Sequence, residues 1–264
     1  MTSKDVDECE SGYLRQLEED GYVVIKLEGI NELVEEVNLQ IEELVEGGKY
    51  RTNSKIYSYN NSPRIVESWR HSSAAHRLAF QPAIIRILEM FFRASVLPFS
   101  TINFLRSTEQ PLHSDYVHFG TVPEFNLAAA WIALEDIDPR SGPVRVVPRS
   151  HKLPEFRYED LGLPVARSMG EVKSFYTRYE EWLIDDLEQR GLVSVCPELS
   201  RGDVIIWLAN LVHGSPNCEN SQLSRKSQVI HYHPVNTSIY YNPVFSVPSA
   251  KKFVNRAVEF IPHP

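Results

Sequence analysis

The stretch QPLHSDYVHFG (110–120) sets His113 and Asp115 two positions apart, just ahead of apolar residues. In extended backbone, residues i and i+2 project to the same side. An imidazole nitrogen and a carboxylate oxygen can then reach one point, as two ligands to a metal ion would. The plain alternative is a polar pair on the surface. Two protein ligands are few for a reactive metal, and His213, in GDVIIWLANLVHGSPNC (202–218), is the candidate third. It follows an apolar run and precedes Gly214, where a strand would end and expose its last side chain. Two histidines and one carboxylate on one face leave about three coordination positions open, a facial triad suited to non-haem Fe(II), O2 and a co-substrate. Spacing alone discriminates weakly, because the chain has nine histidines to offer as third partners.

A second cluster lies twelve residues on, in SRKSQVIHYHP (224–234). Strand alternation puts Arg225, Ser227, Val229 and His231 on one face, and Lys226, Gln228, Ile230 and Tyr232 on the other. An arginine aimed into a barrel is costly unless it meets an anion. Guanidinium binds carboxylate as a bidentate fork, and a hydroxyl two residues on adds a further hydrogen bond. A dicarboxylate chelating the metal at one end and held by Arg225 at the other accounts for both clusters. An arginine on the outer, solvated face is the competing reading.

The elements that would position these groups follow from the hydrophobic pattern. GYLRQLEEDG (12–21) reads as a short helix stopped by Gly21, and YVVIKLEG (22–29) as a strand. INELVEEVNLQIEELVEGG has Ile30, Leu33, Val34, Val37, Ile41, Leu44 and Val45 at helical spacing. PAIIRILEMFF (82–92) opens with a first-turn proline and is again amphipathic. After residue 95 short β-like runs alternate with turn residues, the texture of a sandwich or barrel. The expected fold is therefore mainly β. It is a double-stranded β-helix (a jelly roll, cupin-like) flanked by α-helices, in a single domain over 1–264. The helical part covers about 1–95 and the core about 96–264, with a polar and aromatic insertion at 155–192 read as a lid.

Composition narrows the function. The 264 residues carry a net charge of −8, against a nucleic-acid partner. AKKFVNR (250–256) is the one short basic cluster near the end and reads as a solvated face. Cys9, Cys196 and Cys218 lack CxxC spacing and fit free thiols in a reducing compartment. No apolar run approaches the ~18 residues of a membrane span, and the acidic N-terminus lacks the apolar segment of a signal peptide. The expectation is a cytoplasmic protein with a small-molecule substrate, no nucleic acid and no membrane.

QPLHSDYVHF, AAWIALEDIDPRSGPVRVVPRSHKLP, RGDVIIWLANLVHGS and RKSQVIHY, in that order, resemble the phytanoyl-CoA dioxygenase family of Fe(II)- and 2-oxoglutarate-dependent oxygenases. The resemblance implies His113, Asp115 and His213 as iron ligands. It implies Arg225, with Ser227, as the partner of the 2-oxoglutarate C5 carboxylate. The reaction it implies consumes O2, releases succinate and CO2, and hydroxylates an unactivated C–H. Related halogenases lack the carboxylate, so Asp115 favours hydroxylation, or another oxidation, over chlorination. One departure is VVPRSHK, where relatives usually carry PGSHK. Arg149 there replaces a glycine and either alters the turn or reaches toward the site.

Further residues are weighed beside this core. Trp131 shares strand parity with Ala129 and Ala133, so it walls the metal pocket or is plain core. Asn103, Arg106 and Gln110 lie on or after the strand entering the His-x-Asp turn. Asn103 is favoured for 2-oxoglutarate, as related enzymes often use a polar residue there. His118 faces substrate or is an ordinary strand histidine, and His231 and His233 share the parity of Arg225. Loops 51–64 and 155–192, with Tyr57, Tyr59, Arg64, Arg157, Tyr176, Arg178 and Tyr179, suit a polar, hydroxylated or anionic ligand. Two other classes compete. One is a zinc hydrolase on the same His/Asp/His ligands, which leaves Arg225 unexplained. The other is a non-catalytic jelly-roll binding module, which needs no open coordination sites.

Overall fold

A computed structural model describes residues 7–49, 51–52, 64–154, 169–241 and 261–264. Helix α1 (Glu8–Asp20) begins with a capping box between Asp7 and Glu10 and ends at Gly21, whose φ of 82° is the left-handed turn glycine allows. The chain reverses there into β1 (Tyr22–Lys26) and then forms α2 (Asn31–Glu46), which buries Val34, Val37 and Ile41. Helices α3 (Ser73–Ala79) and α4 (Pro82–Phe92) follow two short strands, β2 (Arg51–Thr52) and β3 (Arg64–Val66). Three of these pieces, β2, β3 and α3, are too short to leave a periodic signature.

From Val96 the chain is mostly strands: β4 (Val96–Phe104), β5 (Phe119–Val122), β6 (Ala128–Ala133), β7 (Arg145–Val146), β8 (Asp203–Leu208), β9 (His213–Gly214), β10 (Ser227–Pro234) and β11 (Ser238–Tyr241). One antiparallel sheet runs β1-β8-β6-β10-β4-β3-β2. The opposing face is made of shorter pieces. β7 pairs with β9, Val146 bridges to Val195, and His213 bridges to His113, giving the lateral order Val195, β7, β9, His113. This is the expected jelly roll, with one long sheet and one broken into short pairs.

The two faces of the long sheet do different work. Ile206, Ile230 and Tyr232 point out and pack with Val34, Leu78 and Leu88 of the helices, while the Tyr232 hydroxyl donates to Ala79 O at 2.9 Å. Trp131, Ile205, Trp207 and Val229 point in and form the barrel's own core with Phe104 and Val146. The alanines of β6 make room for them, since Ala129 stands opposite Trp207 and Ala133 opposite Ser227. Among the described residues, no helix is long and apolar enough to cross a membrane, and the three cysteines are free thiols.

Candidate active site

His113 and His213 face each other across the short-pieced sheet, each backbone N–H donating to the other's carbonyl, at 2.9 and 2.8 Å. Their rings lie 4.5 Å apart. Each ring also touches the carbonyl two residues upstream, His113 Nδ1 at Pro111 O (2.8 Å) and His213 Nδ1 at Leu211 O (3.0 Å). A carbonyl only accepts, so Nδ1 carries the proton and Nε2 presents its lone pair. Ser114 is extended (φ −108°, ψ 149°), so Asp115 comes to the same side as His113. The ligating atoms of His113, Asp115 and His213 all lie within 4.8 Å of one another, and all three residues are buried.

Two local expectations are corrected. Asp115 is not in a strand; it opens a 3-10 turn, Asp115–Val117, because the chain must bend from the His113 bridge into β5. His213 does not end the apolar strand. β8 stops at Leu208, a turn at Ala209–Asn210 intervenes, and His213 starts β9. The chain crosses to the second sheet there, which is how residues a hundred positions apart meet.

The electrostatics favour metal-ready protonation states. Burial, then the neighbouring His213 and His118, hold the His113 imidazole well below its ordinary range. Burial pushes the Asp115 carboxyl up, but His213, His231 and His113 outweigh it and keep the group ionised. His118, on the same side, stacks 5.6 Å from His113 and 5.7 Å from Tyr176. It faces the cluster and is not an ordinary strand histidine. Burial drops it from 6.5 to about 3. The sign of the linkage follows: the unfolded chain takes up a proton below about pH 6.5 while folded His118 stays neutral until about pH 3. Stability is therefore expected to fall as pH drops through this window, by up to about 1.4 kcal/mol per pH unit from this residue. A urea midpoint of the metal-free protein that stays level from pH 6.5 to 4 would contradict it.

Arg225 enters the barrel beside Ser227, as alternation required. It is 2% exposed and its Nη1 reaches Ser227 Oγ at 3.4 Å. Its guanidinium lies 5.5 Å from the Trp131 ring and 5.5 Å from the Phe104 ring. Trp131 therefore sits in the inner core, against Arg225. Among the described residues no carboxylate pairs with Arg225, and its Nε has no hydrogen-bond partner. Burial, and then Arg64, lower its pKa to about 10, so it stays charged at neutral pH. Arg64 was expected only as a loop contact. It is a buried residue of β3, 5.7 Å from the same Phe104 ring and bonded to the Gln110 side chain. Gln110 Nε2 donates to His113 Nε2 at 3.0 Å. Gln110 thus links the second guanidinium to the His/Asp/His cluster.

One expectation, that for Asn103, fails on strand parity. Asn103 pairs with Gln228, on the helix-facing side of β4. Its side chain bonds Ser68 and Gln228, away from the barrel interior. Arg106 is exposed and donates to Ser221 O. Arg149 is exposed as well. It takes the glycine-like conformation itself (φ 67°, ψ −1°), so the turn is kept and the side chain does not reach the site. His233 is buried beside Phe99 and bonded to Pro234 O. Tyr57, Tyr59 and Arg157 lie outside the described residues.

Helix α5 (Met169–Gln189) is the described part of the 155–192 insertion. Tyr176, Tyr179, Leu183 and Leu187 pack on Val117, Val147 and Val212. The Tyr179 hydroxyl accepts Ser114 N–H at 3.0 Å, so the helix grips the residue between His113 and Asp115; Arg178 is exposed. The residue that sequence reasoning missed is Trp207. Its indole N–H donates to Asp115 Oδ2 at 2.8 Å and its ring stacks 4.4 Å from His213. Extending alternation from Ile205 two residues along β8 would have found it.

Gly214 permits the close approach of the segment carrying His113. A Cβ there would stand 2.8 Å from both Gln110 O and Pro111 O. Both are backbone atoms, so Gly214→Ala is expected to cost about 1–3 kcal/mol and to weaken metal binding by displacing His113. An unchanged urea midpoint and metal affinity would refute this.

The fold and the site define a jelly-roll protein with a candidate His/Asp/His metal centre and a buried guanidinium on the inner face of the same barrel. The chain belongs to the phytanoyl-CoA dioxygenase (PhyH) family, whose model matches residues 17–227. It is 22% identical over 178 residues to the peroxisomal phytanoyl-CoA dioxygenase of Bos taurus, covering 65% of this chain and 49% of the relative. The Rattus norvegicus enzyme is 24% identical over 184 residues, covering 66% and 51%. The chain thus spans about half the length of these relatives. Among solved structures it resembles the epimerase SnoN in complex with Fe3+, alpha ketoglutarate and nogalamycin RO (TM-score 0.67, 19% identity, 90% of this chain and 88% of that one). EctD from S. alaskensis with bound Fe is similar at a TM-score of 0.67 and 20% identity, over 89% and 79%. The expected family and fold class are borne out.

Proposed function

We propose that the chain is an Fe(II)/2-oxoglutarate-dependent oxygenase that hydroxylates an unactivated C–H of a small polar metabolite, releasing succinate and CO2. The observation that carries this reading is Arg225, a buried cation that meets no carboxylate among the described residues, on the inner face of the barrel that carries the His/Asp/His cluster. A zinc hydrolase would use the same ligands but has no need of that guanidinium. His113, Asp115 and His213 would hold the iron, and Arg225 with Ser227 the far carboxylate of 2-oxoglutarate. Trp131 braces the guanidinium, and Arg64 adds positive potential nearby. Iron and co-substrate together supply the activation of O2. The chain would supply two Nε2 atoms, on rings oriented by Nδ1–H contacts to backbone carbonyls, and an ionised Asp115. With Asp115 present, the site favours hydroxylation over chlorination.

The small-molecule substrate class is supported by the site walls and by the neighbours. His118, Tyr176 and Gln110 line the side next to His113, a surface suited to a sugar-containing or amino-acid-derived intermediate. Related solved structures are complexes with nogalamycin RO and with 5-hydroxyectoine. The test is succinate formation. Succinate is expected only when Fe(II), 2-oxoglutarate and O2 are present together, slowly without substrate and faster with a matching metabolite. Hydrolysis of a substrate with Zn(II), and no succinate with Fe(II), would favour the hydrolase instead.

A further inference from the structure

The two oxygens of Asp115 have different surroundings. Oδ1 lies 3.7 Å from His213 Nε2, on the side where the three ligating groups converge. Oδ2 accepts the Trp207 indole N–H at 2.8 Å, and His231 Nε2 lies 3.6 Å from the same oxygen. We propose that Trp207, with His231 beside it, is a positioning residue that holds Asp115 to the metal through one oxygen only. The inference rests on reading His113, Asp115 and His213 as metal ligands.

An indole N–H donates and cannot accept, so Trp207 can satisfy Oδ2 but cannot itself bind a metal. The ring also cannot follow a rotating carboxylate. It is 2% exposed, wedged between Tyr22 and Ala129 on the flanking strands, and stacked on His213. His231 adds a second constraint. Its ring lies 5.9 Å from Phe99 and 5.4 Å from Phe119, and its Nδ1 has no hydrogen-bond partner among the described residues. Among the described residues Asp115 is the polar group that the ring's other nitrogen approaches, which places its proton on Nε2. Two donors aimed at Oδ2 leave Oδ1 for the ion. A carboxylate released from them could chelate through both oxygens and occupy a position that a bidentate 2-oxo acid needs.

Trp207→Phe keeps an aromatic ring in the barrel and removes the donor. Co(II) added to the metal-free protein is the probe, because its ligand-field absorption reports coordination without turnover. Trp207→Phe is expected to bind Co(II) about 10–100-fold more weakly, to shift the ligand-field band, and to bind 2-oxoglutarate less well once loaded. Trp69→Phe, remote from the cluster, should match the parent. His231→Gln, which keeps a donor, should retain the parent band, and His231→Leu should shift it. This second pair decides the matter if Trp207→Phe does not fold, as judged by the melting temperature of the metal-free protein. A parent-like band in Trp207→Phe, or in His231→Leu where only that pair folds, overturns the proposal. A parent that binds no Co(II) would instead refute the ligand assignment.

Discussion

Replacing Arg225 by leucine is expected to raise the dissociation constant for 2-oxoglutarate by a factor of roughly 30 to several thousand, while metal affinity stays near that of the parent. Truncating one member of a buried, hydrogen-bonded charge pair costs about 2–5 kcal/mol, and Arg225 is the proposed partner of the far carboxylate. The same substitution is expected to stabilise the ligand-free fold. A guanidinium that is 2% exposed and meets no carboxylate among the described residues has only a long contact to Ser227 and two aromatic rings to set against its desolvation cost. Leucine would pack against Phe104 and Trp131 in its place. The urea midpoint of Arg225→Leu should therefore lie above the parent's without co-substrate, and the order should reverse at saturating metal and 2-oxoglutarate. An arginine that is merely structural would give the opposite sign in the absence of ligand. Unchanged 2-oxoglutarate affinity would remove the main support for the proposed function.

The second large effect is expected at His213. His213→Ala should weaken metal binding by at least about 100-fold, the upper end of what losing a mere supporting group costs a metal site. The fold should survive, because the bridge to His113 is made by backbone atoms that alanine retains. The lost ring leaves space beside Trp207, so a modest destabilisation of about 1–3 kcal/mol accompanies it. Calorimetric titration with Fe(II) or Co(II) under nitrogen, paired with a melting curve of the metal-free variant, separates the two effects. Parent-like metal affinity in a folded His213→Ala would dismantle the assigned ligand set.

The residues that could do chemistry were more legible than the geometry that joins them. His113, Asp115 and His213 stood out by type and by neighbours, yet the local reasons for choosing them were partly wrong. A 3-10 turn, not a strand, carries Asp115, and His213 begins a strand instead of ending one. Extended backbone at the single residue Ser114 gives the same side-by-side placement as a whole strand would, so the inference survived the error. Parity worked where a run was long: Arg225, Ser227, Val229 and His231 all turn inward along β10 and its entry. It failed for Asn103 because the face of β4 is fixed by its register with β10, which no local pattern reports. Arg64 was read as a loop residue because three residues of strand cannot show a period, and its place beside Phe104 depends on pairing with β4. Trp207 was readable from β8 alone, but its tie to Asp115 spans two sheets.

The central claim is that three side chains and a distant guanidinium hold one Fe(II)–2-oxoglutarate chelate. An anaerobic titration of the metal-free protein with Fe(II) and then 2-oxoglutarate tests it most directly. The expected result is a weak visible charge-transfer band that appears only with both added, is absent with Zn(II), and is lost in His213→Ala. No band in the parent, or a band that persists in His213→Ala, would contradict it.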